Sequence, residues 1–149
     1  MTSKLYENGH QIDGLDFSSK MISIAKSKMP KANLIEWDIS NGIPPEFQNN
    51  KYETIVSTYT LHHLKDEAKI SFIKTLLSVL EENGKLFIGD ISFETRENLE
   101  ECRRKSIDYW DHDECYFVFN EIHSSLKNDC NCEFYPLSHC GGVIVITKR

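Results

Sequence analysis

The chain has 149 residues, of which 40% are apolar and 11% aromatic, and this predicts one ordinary globular domain over 1–149. A net charge of −6 argues against a nucleic-acid partner, since the one dense basic run, Arg103-Arg104-Lys105, sits beside Glu100 and Glu101 and reads as a solvated helix face. No apolar run reaches the length of a membrane span, and five irregularly spaced cysteines predict reduced thiols in a cytoplasm, not a disulfide framework.

Along the chain, short apolar runs alternate with amphipathic stretches, the pattern of a layered α/β fold with a largely parallel sheet. Thr2 to Asn8 reads as the tail of a helix stopped by Gly9. Gln11 to Leu15 is a short strand ending at Asp16. Ser18 then caps a helix with Met21, Ile24, Ala25 and Met29 at helical spacing, closed by Pro30. Asn33 to Trp37 is a second strand, ending at Asp38. The prolines of Asn41-Gly42-Ile43-Pro44-Pro45 exclude helix there. Tyr52 to Thr58 is a third strand. Asp66 caps the next helix, whose stripe is Phe72, Ile73, Leu76, Leu77 and Leu80, and Asn83-Gly84 ends it. Lys85 to Gly89 is a strand finishing at Asp90, followed by helices over 94–110 and 119–127. Strands at Cys132–Leu137 and Gly142–Thr147, joined by a short turn, close the chain as an antiparallel hairpin.

Three acids, Asp16, Asp38 and Asp90, end strands. Ligands of open parallel sheets sit beyond the carboxyl ends of the strands, and an acid after the second strand is placed to accept from both hydroxyls of a ribose. Asp16 therefore implies a ribose-containing cofactor. Cys130, Cys132, Cys140 and His139, with Cys115, are close in sequence, but Cys-Asn-Cys lacks zinc-knuckle spacing and no metal site is assigned. The rings of Tyr109, Trp110, Tyr116, Phe117 and Phe119 read as packing on the sheet or as covering a ligand site.

Ile12-Asp13-Gly14-Leu15-Asp16-Phe17-Ser18 resembles the second-strand motif of class I S-adenosylmethionine-dependent methyltransferases, and Glu36-Trp37-Asp38-Ile39 the motif after their third strand. Ile55-Val56-Ser57-Thr58-Tyr59-Thr60-Leu61-His62-His63-Leu64 is similar to their fourth-strand motif, and Leu80 to Leu86 matches the turn before their fifth strand. The order and gaps fit, and the resemblance is closest to small bacterial methyltransferases of the YrrT-like kind.

The resemblance implies a Rossmann-like, doubly wound α/β fold and methyl transfer from S-adenosylmethionine to a small-molecule acceptor. Asp16 would bind the ribose and Phe17 pack on the adenine. Asp38 would accept from the adenine amino group, Ile39 cover the ring, and Ser57 and Thr58 line the cofactor. Tyr59, His62 and His63 would lie near the methyl group as catalytic candidates. At most one of the adjacent histidines faces the pocket, the other bonding to backbone. A histidine base is needed only where the acceptor must lose a proton; alignment alone supplies much of the rate.

The family's first strand and its Gly-x-Gly loop have no counterpart here. That predicts an N-terminally truncated domain from an incomplete reading frame, with two unpaired sheet edges that favour self-association. A non-catalytic module binding partners through those edges, and a nicotinamide-dependent oxidoreductase, are the alternatives. The His-His-Leu segment and the antiparallel terminal hairpin argue against the latter.

Overall fold

The computed structural model describes all residues, 1–149, in two compact units, Met1–Gln48 and Asn49–Arg149. In the first, helix α1 (Thr2–Glu7) ends before Gly9, whose φ of +89° an L side chain would resist. Strand β1 (Asp13–Asp16) leads into α2 (Ser19–Lys28), and β2 (Asn33–Glu36) lies parallel to β1, with Asp13 opposite Asn33 and Asp16 opposite Glu36. The Ser18 hydroxyl accepts from the Met21 N–H as the expected cap of α2. Ile22, Met29 and Leu34 form the buried core of this unit, with Tyr6, Ile12 and Ala25 packed on it.

One expectation fails here. Pro45 does not exclude a helix but begins one, α3 (Pro45–Gln48). A first-turn N–H has no partner within its helix, and the fixed φ of proline suits that position.

The second unit holds a five-stranded sheet. Its elements are β3 (Tyr52–Thr58), α4 (Asp66–Val79), β4 (Leu80–Phe93), α5 (Arg96–Lys105), β5 (Phe117–Val118), α6 (Phe119–Leu126), β6 (Cys130–Pro136) and β7 (Gly141–Lys148). The order is β3-β4-β7-β6, with β5 beside the end of β4. The β3/β4 and β4/β5 pairs are parallel and the β4/β7 and β6/β7 pairs antiparallel, as the α/β reading with a terminal hairpin requires. Leu86, Ile88, Phe117, Leu126, Ile144 and Ile146 are buried to about the last atom and form the core. Within its own sheet β1 has one ladder partner, β2, and β3 has one, β4. Val56, midway along β3, is 38% exposed.

Four boundaries in this unit differ from those expected. Asp66 is the first residue of α4 and does not cap it: the cap position is Lys65, and Asp66 instead bonds Lys69. The helix stops at Val79, so Leu80 and Asn83-Gly84 belong to β4, where Tyr52 pairs with Leu80 but Thr54 pairs with Lys85. The surplus residues form a bulge, and Gly84 fits because a Cβ there would lie 3.0 Å from the Tyr52 carbonyl oxygen. Third, β4 does not finish at Asp90 but runs to Phe93, held by β5 and β7. Where one helix was expected over 94–110, α5 ends at Lys105, and a one-turn 3-10 helix covers Ile107–Tyr109. The run Arg103-Arg104-Lys105 occupies the last turn of α5, where cations face the negative end of the helix dipole.

Gly142, the second residue of β7, is a glycine because the Phe134 ring lies across it. A Cβ there would come within 2.5 Å of that ring and 2.9 Å of the Tyr135 carbonyl oxygen. Phe134 in turn stacks on Phe119 at 5.4 Å and has little room to retreat. Gly142→Ala is expected to destabilise the fold by about 1–3 kcal/mol in urea unfolding, the usual cost of overpacking; an unchanged midpoint would show that the ring swings aside freely.

Candidate functional site

In the first unit four of the six predicted cofactor residues, Asp16, Phe17, Asp38 and Ile39, lie at or just beyond the carboxyl ends of two adjacent parallel strands. Asp16 is the last residue of β1, half-buried, and its Oδ1 accepts the Ser18 N–H at 2.8 Å. That bond fixes the carboxylate and leaves Oδ2 for a ligand. Across the ladder the Trp37 N–H donates to the Asp16 carbonyl, which ties the end of β1 to the start of the β2 loop. Asp38 follows directly, its Oδ1 accepting the Ser40 N–H at 2.8 Å and capping the turn Ile39–Asn41. The Ser40 backbone and hydroxyl hold Asp38 below the usual carboxylate range. Its capping is therefore present at neutral pH and is lost as pH falls through that lowered value. Phe17 is 72% exposed and Ile39 half-buried. Two carboxylates and two apolar side chains thus share one strand-end edge, which is the composition a nucleoside needs.

In the second unit Ser57 and Thr58 end β3, Ser57 half-buried and Thr58 exposed. Tyr59 follows with φ +48°, and is the one non-glycine residue of the chain in the left-handed region. A tyrosine holds this conformation at a cost of roughly 1 kcal/mol or more, and such outliers gather at ligand sites. Its N–H is fixed to the Gly89 carbonyl at 2.9 Å and its ring is 71% exposed.

His62 and His63 stand on the next turn, a 3-10 helix at Leu61–His63, His62 buried and His63 exposed. The expected backbone partner of the inward histidine is instead a carboxylate. His62 Nδ1 lies 2.6 Å from Asp90 Oδ1, and Asp90 Oδ2 accepts the Leu61 N–H at 3.1 Å. Asp90 Oδ1 also takes its neighbour Ile91 N–H at 2.8 Å. On the other side of the ring, Nε2 is 3.3 Å from Glu114 Oε1. The segment bearing Glu114 is fastened to this turn, because the Cys115 N–H donates to the His62 carbonyl at 2.8 Å. Lys69, fully buried on α4, donates to the Cys115 carbonyl and to Asp66 Oδ1 at 2.8 Å. Burial, and a hydroxyl donated to Glu114, push Tyr116 up to about 12.

Asp90, Glu114 and Lys69 were not among the predicted site residues. The contacts that tie them to the His62 turn reach 28 to 52 positions along the sequence, so no local spacing announces them. Of the aromatic segment, Phe117 is buried and Trp110 packs edge-on against Tyr116 at 4.9 Å, whereas Tyr109 is exposed. A separate cleft of about 520 Å³ opens between α5 and the terminal hairpin, lined by Glu101, Cys102, Lys105, Phe134 and His139 among others, and no predicted cofactor residue reaches it. All five cysteines are free, and burial pushes Cys132 up to about 12.

Residues 1–84, more than half of the chain, match the family model of the methyltransferase domain. The chain belongs to that family. An uncharacterised methyltransferase of Oceanobacillus iheyensis is 31% identical over 92% of this chain, which spans 57% of that protein. An S-adenosylmethionine-dependent methyltransferase of Clostridium acetobutylicum superposes with a TM-score of 0.75 at 14% identity, covering 99% of this chain and 78% of that one. The magnesium protoporphyrin IX methyltransferase of Synechocystis, solved with bound SAH, superposes with a TM-score of 0.71 at 16% identity, over 98% of this chain and 68% of that one. The resemblance read from the motifs and the Rossmann-like α/β class are thereby borne out.

Within this methyltransferase fold the Asp90–His62 pair orders the turn after β3. Asp90→Asn is expected to cost about 1.5–3 kcal/mol in urea unfolding, since charge-assisted bonds to His62 and Leu61 are exchanged for neutral ones. A change below roughly 0.5 kcal/mol would mean that the pair contributes no stability.

Proposed function

We propose that the chain is the nucleoside-binding part of an S-adenosylmethionine-dependent methyltransferase acting on a small-molecule acceptor. The observation that carries this reading is the pairing of Asp16 and Asp38 at the carboxyl ends of adjacent parallel strands, in a chain of the methyltransferase family. The residues fit the group: Asp16 keeps one oxygen for a ribose hydroxyl, and exposed Phe17 and half-buried Ile39 offer apolar cover for an adenine. S-adenosylmethionine, when bound, supplies an electrophilic methyl on a sulfonium sulfur. Asp16 would hold the ribose by charge-assisted hydrogen bonds, and Asp38 would accept from the adenine amino group. Ser57 and Thr58 are proposed to line the cofactor, and Tyr59 and His63 to meet the acceptor. His62, with Nδ1 engaged by Asp90, has only Nε2 for a proton, and Glu114 faces that atom. Alignment of donor and acceptor would then do most of the catalysis.

Free thiols and the negative net charge support a cytoplasmic protein without a nucleic-acid partner, and no helix is long and apolar enough to cross a membrane. A second reading, pairing with another chain through strand edges, is favoured by the single ladder partners of β1 and β3 and by exposed Val56.

Calorimetric titration with S-adenosylmethionine tests the first reading. Micromolar binding is expected, weakened about tenfold or more by Asp16→Ala, which is ~1.4 kcal/mol. A folded chain that takes up no cofactor, or one that ignores the substitution, contradicts it; a stable oligomer without affinity would favour strand pairing instead.

A further inference from the structure

His62, His63 and Glu114 converge from two segments of the second unit, with one donor atom of each within 4.8 Å of the others. The sequence offers only the cysteines and His139 as metal-ligand candidates, because Glu114 lies 52 positions beyond His62 and nothing in its spacing marks it. We propose that these three side chains form a site for a divalent transition ion, zinc by donor type. The inference stands on them alone and does not depend on the methyl-transfer reading.

Four observations support it. Two imidazoles and a carboxylate are a donor set that zinc takes in catalytic sites, where a fourth position stays open to water or an oxygen ligand. Tetrahedral ligands about 2.0–2.1 Å from zinc lie roughly 3.4 Å apart, and His62 Nε2 is already 3.3 Å from Glu114 Oε1. His62 is oriented as metal-bound histidines are, its other nitrogen held at 2.6 Å by the buried Asp90 carboxylate, which fixes the tautomer and turns Nε2 outward. Charge agrees as well, since the carboxylates of Asp90 and Glu114 on either side of one ring are neutralised by a dication.

Glu114 is also braced, by the Tyr116 hydroxyl and by the Cys115 amide bonded to His62. His63 is exposed, its ring 4.1 Å from that of His62, so a side-chain rotation brings its nitrogen in without moving the core. The ion would be reachable from solvent on the His63 side. Without an ion, Nε2 of His62 and Oε1 of Glu114 face each other at 3.3 Å.

The test is titration of the full chain, stripped with chelator, with Zn²⁺ against a chromophoric competitor, repeated for His63→Ala and Glu114→Gln. Neither side chain belongs to the core, and circular dichroism verifies that both variants fold. One equivalent of zinc is expected, with affinity falling about tenfold or more in each variant. Cobalt substitution should show ligand-field bands without thiolate charge transfer. No stoichiometric zinc in the parent chain overturns the proposal. Binding undiminished in both variants, or a thiolate band with cobalt, also overturns it, by placing the ion on the cysteines.

Discussion

The second unit is organised around one buried carboxylate. Asp90 sits inside β4 with its side chain almost wholly removed from water, and a charge so placed is tolerated only when donors surround it. The donors are the backbone N–H groups of Leu61 and Ile91 and the ring of His62. Satisfying Asp90 therefore dictates where the turn after β3 must lie and which way the His62 ring faces. The chain beyond that turn inherits the constraint, since the His62 carbonyl holds Cys115 and Lys69 clamps the same residue from α4. No buried side-chain nitrogen or oxygen is left without a partner.

The first unit makes its edge with lighter means. Asp16 is held by the Ser18 N–H and Asp38 by the backbone and hydroxyl of Ser40, each two residues ahead, local bonds that short sequence spacing suffices to create. Their proximity comes from the parallel pairing of β1 with β2, a consequence of the crossover through α2. Carboxylates at such strand ends and apolar side chains beside them are what a nucleoside-binding sheet presents, whatever chemistry follows.

Legibility in the sequence tracked the range of the interaction. The Ser18 cap, the stop at Gly9 and the alternating runs of the terminal hairpin are local, and the structure has them where the residues imply. Boundaries decided by distant packing were misread. Leu80 continues the apolar stripe of α4 on paper, yet it is drawn into β4 by Tyr52. Asp90 looks like a strand terminus but β5 and β7 extend the strand past it. Pro45 reads as a breaker and is instead a helix start. At the candidate site, family motifs point to single residues such as Asp16 and Asp38, whereas no motif points to Glu114 and Lys69, whose contacts exist only in three dimensions. Lys69 in particular is fully buried although it is a lysine on a helix.

The central claim, that the strand-end edge of the first unit holds a nucleoside, is tested most directly by amide chemical shifts of the isotope-labelled chain titrated with S-adenosylhomocysteine. The account predicts saturable shifts centred on the amides of Asp16, Phe17 and Ser18 and of Asp38, Ile39 and Ser40. A well-dispersed spectrum in which those amides stay fixed, whether or not others move, would contradict it.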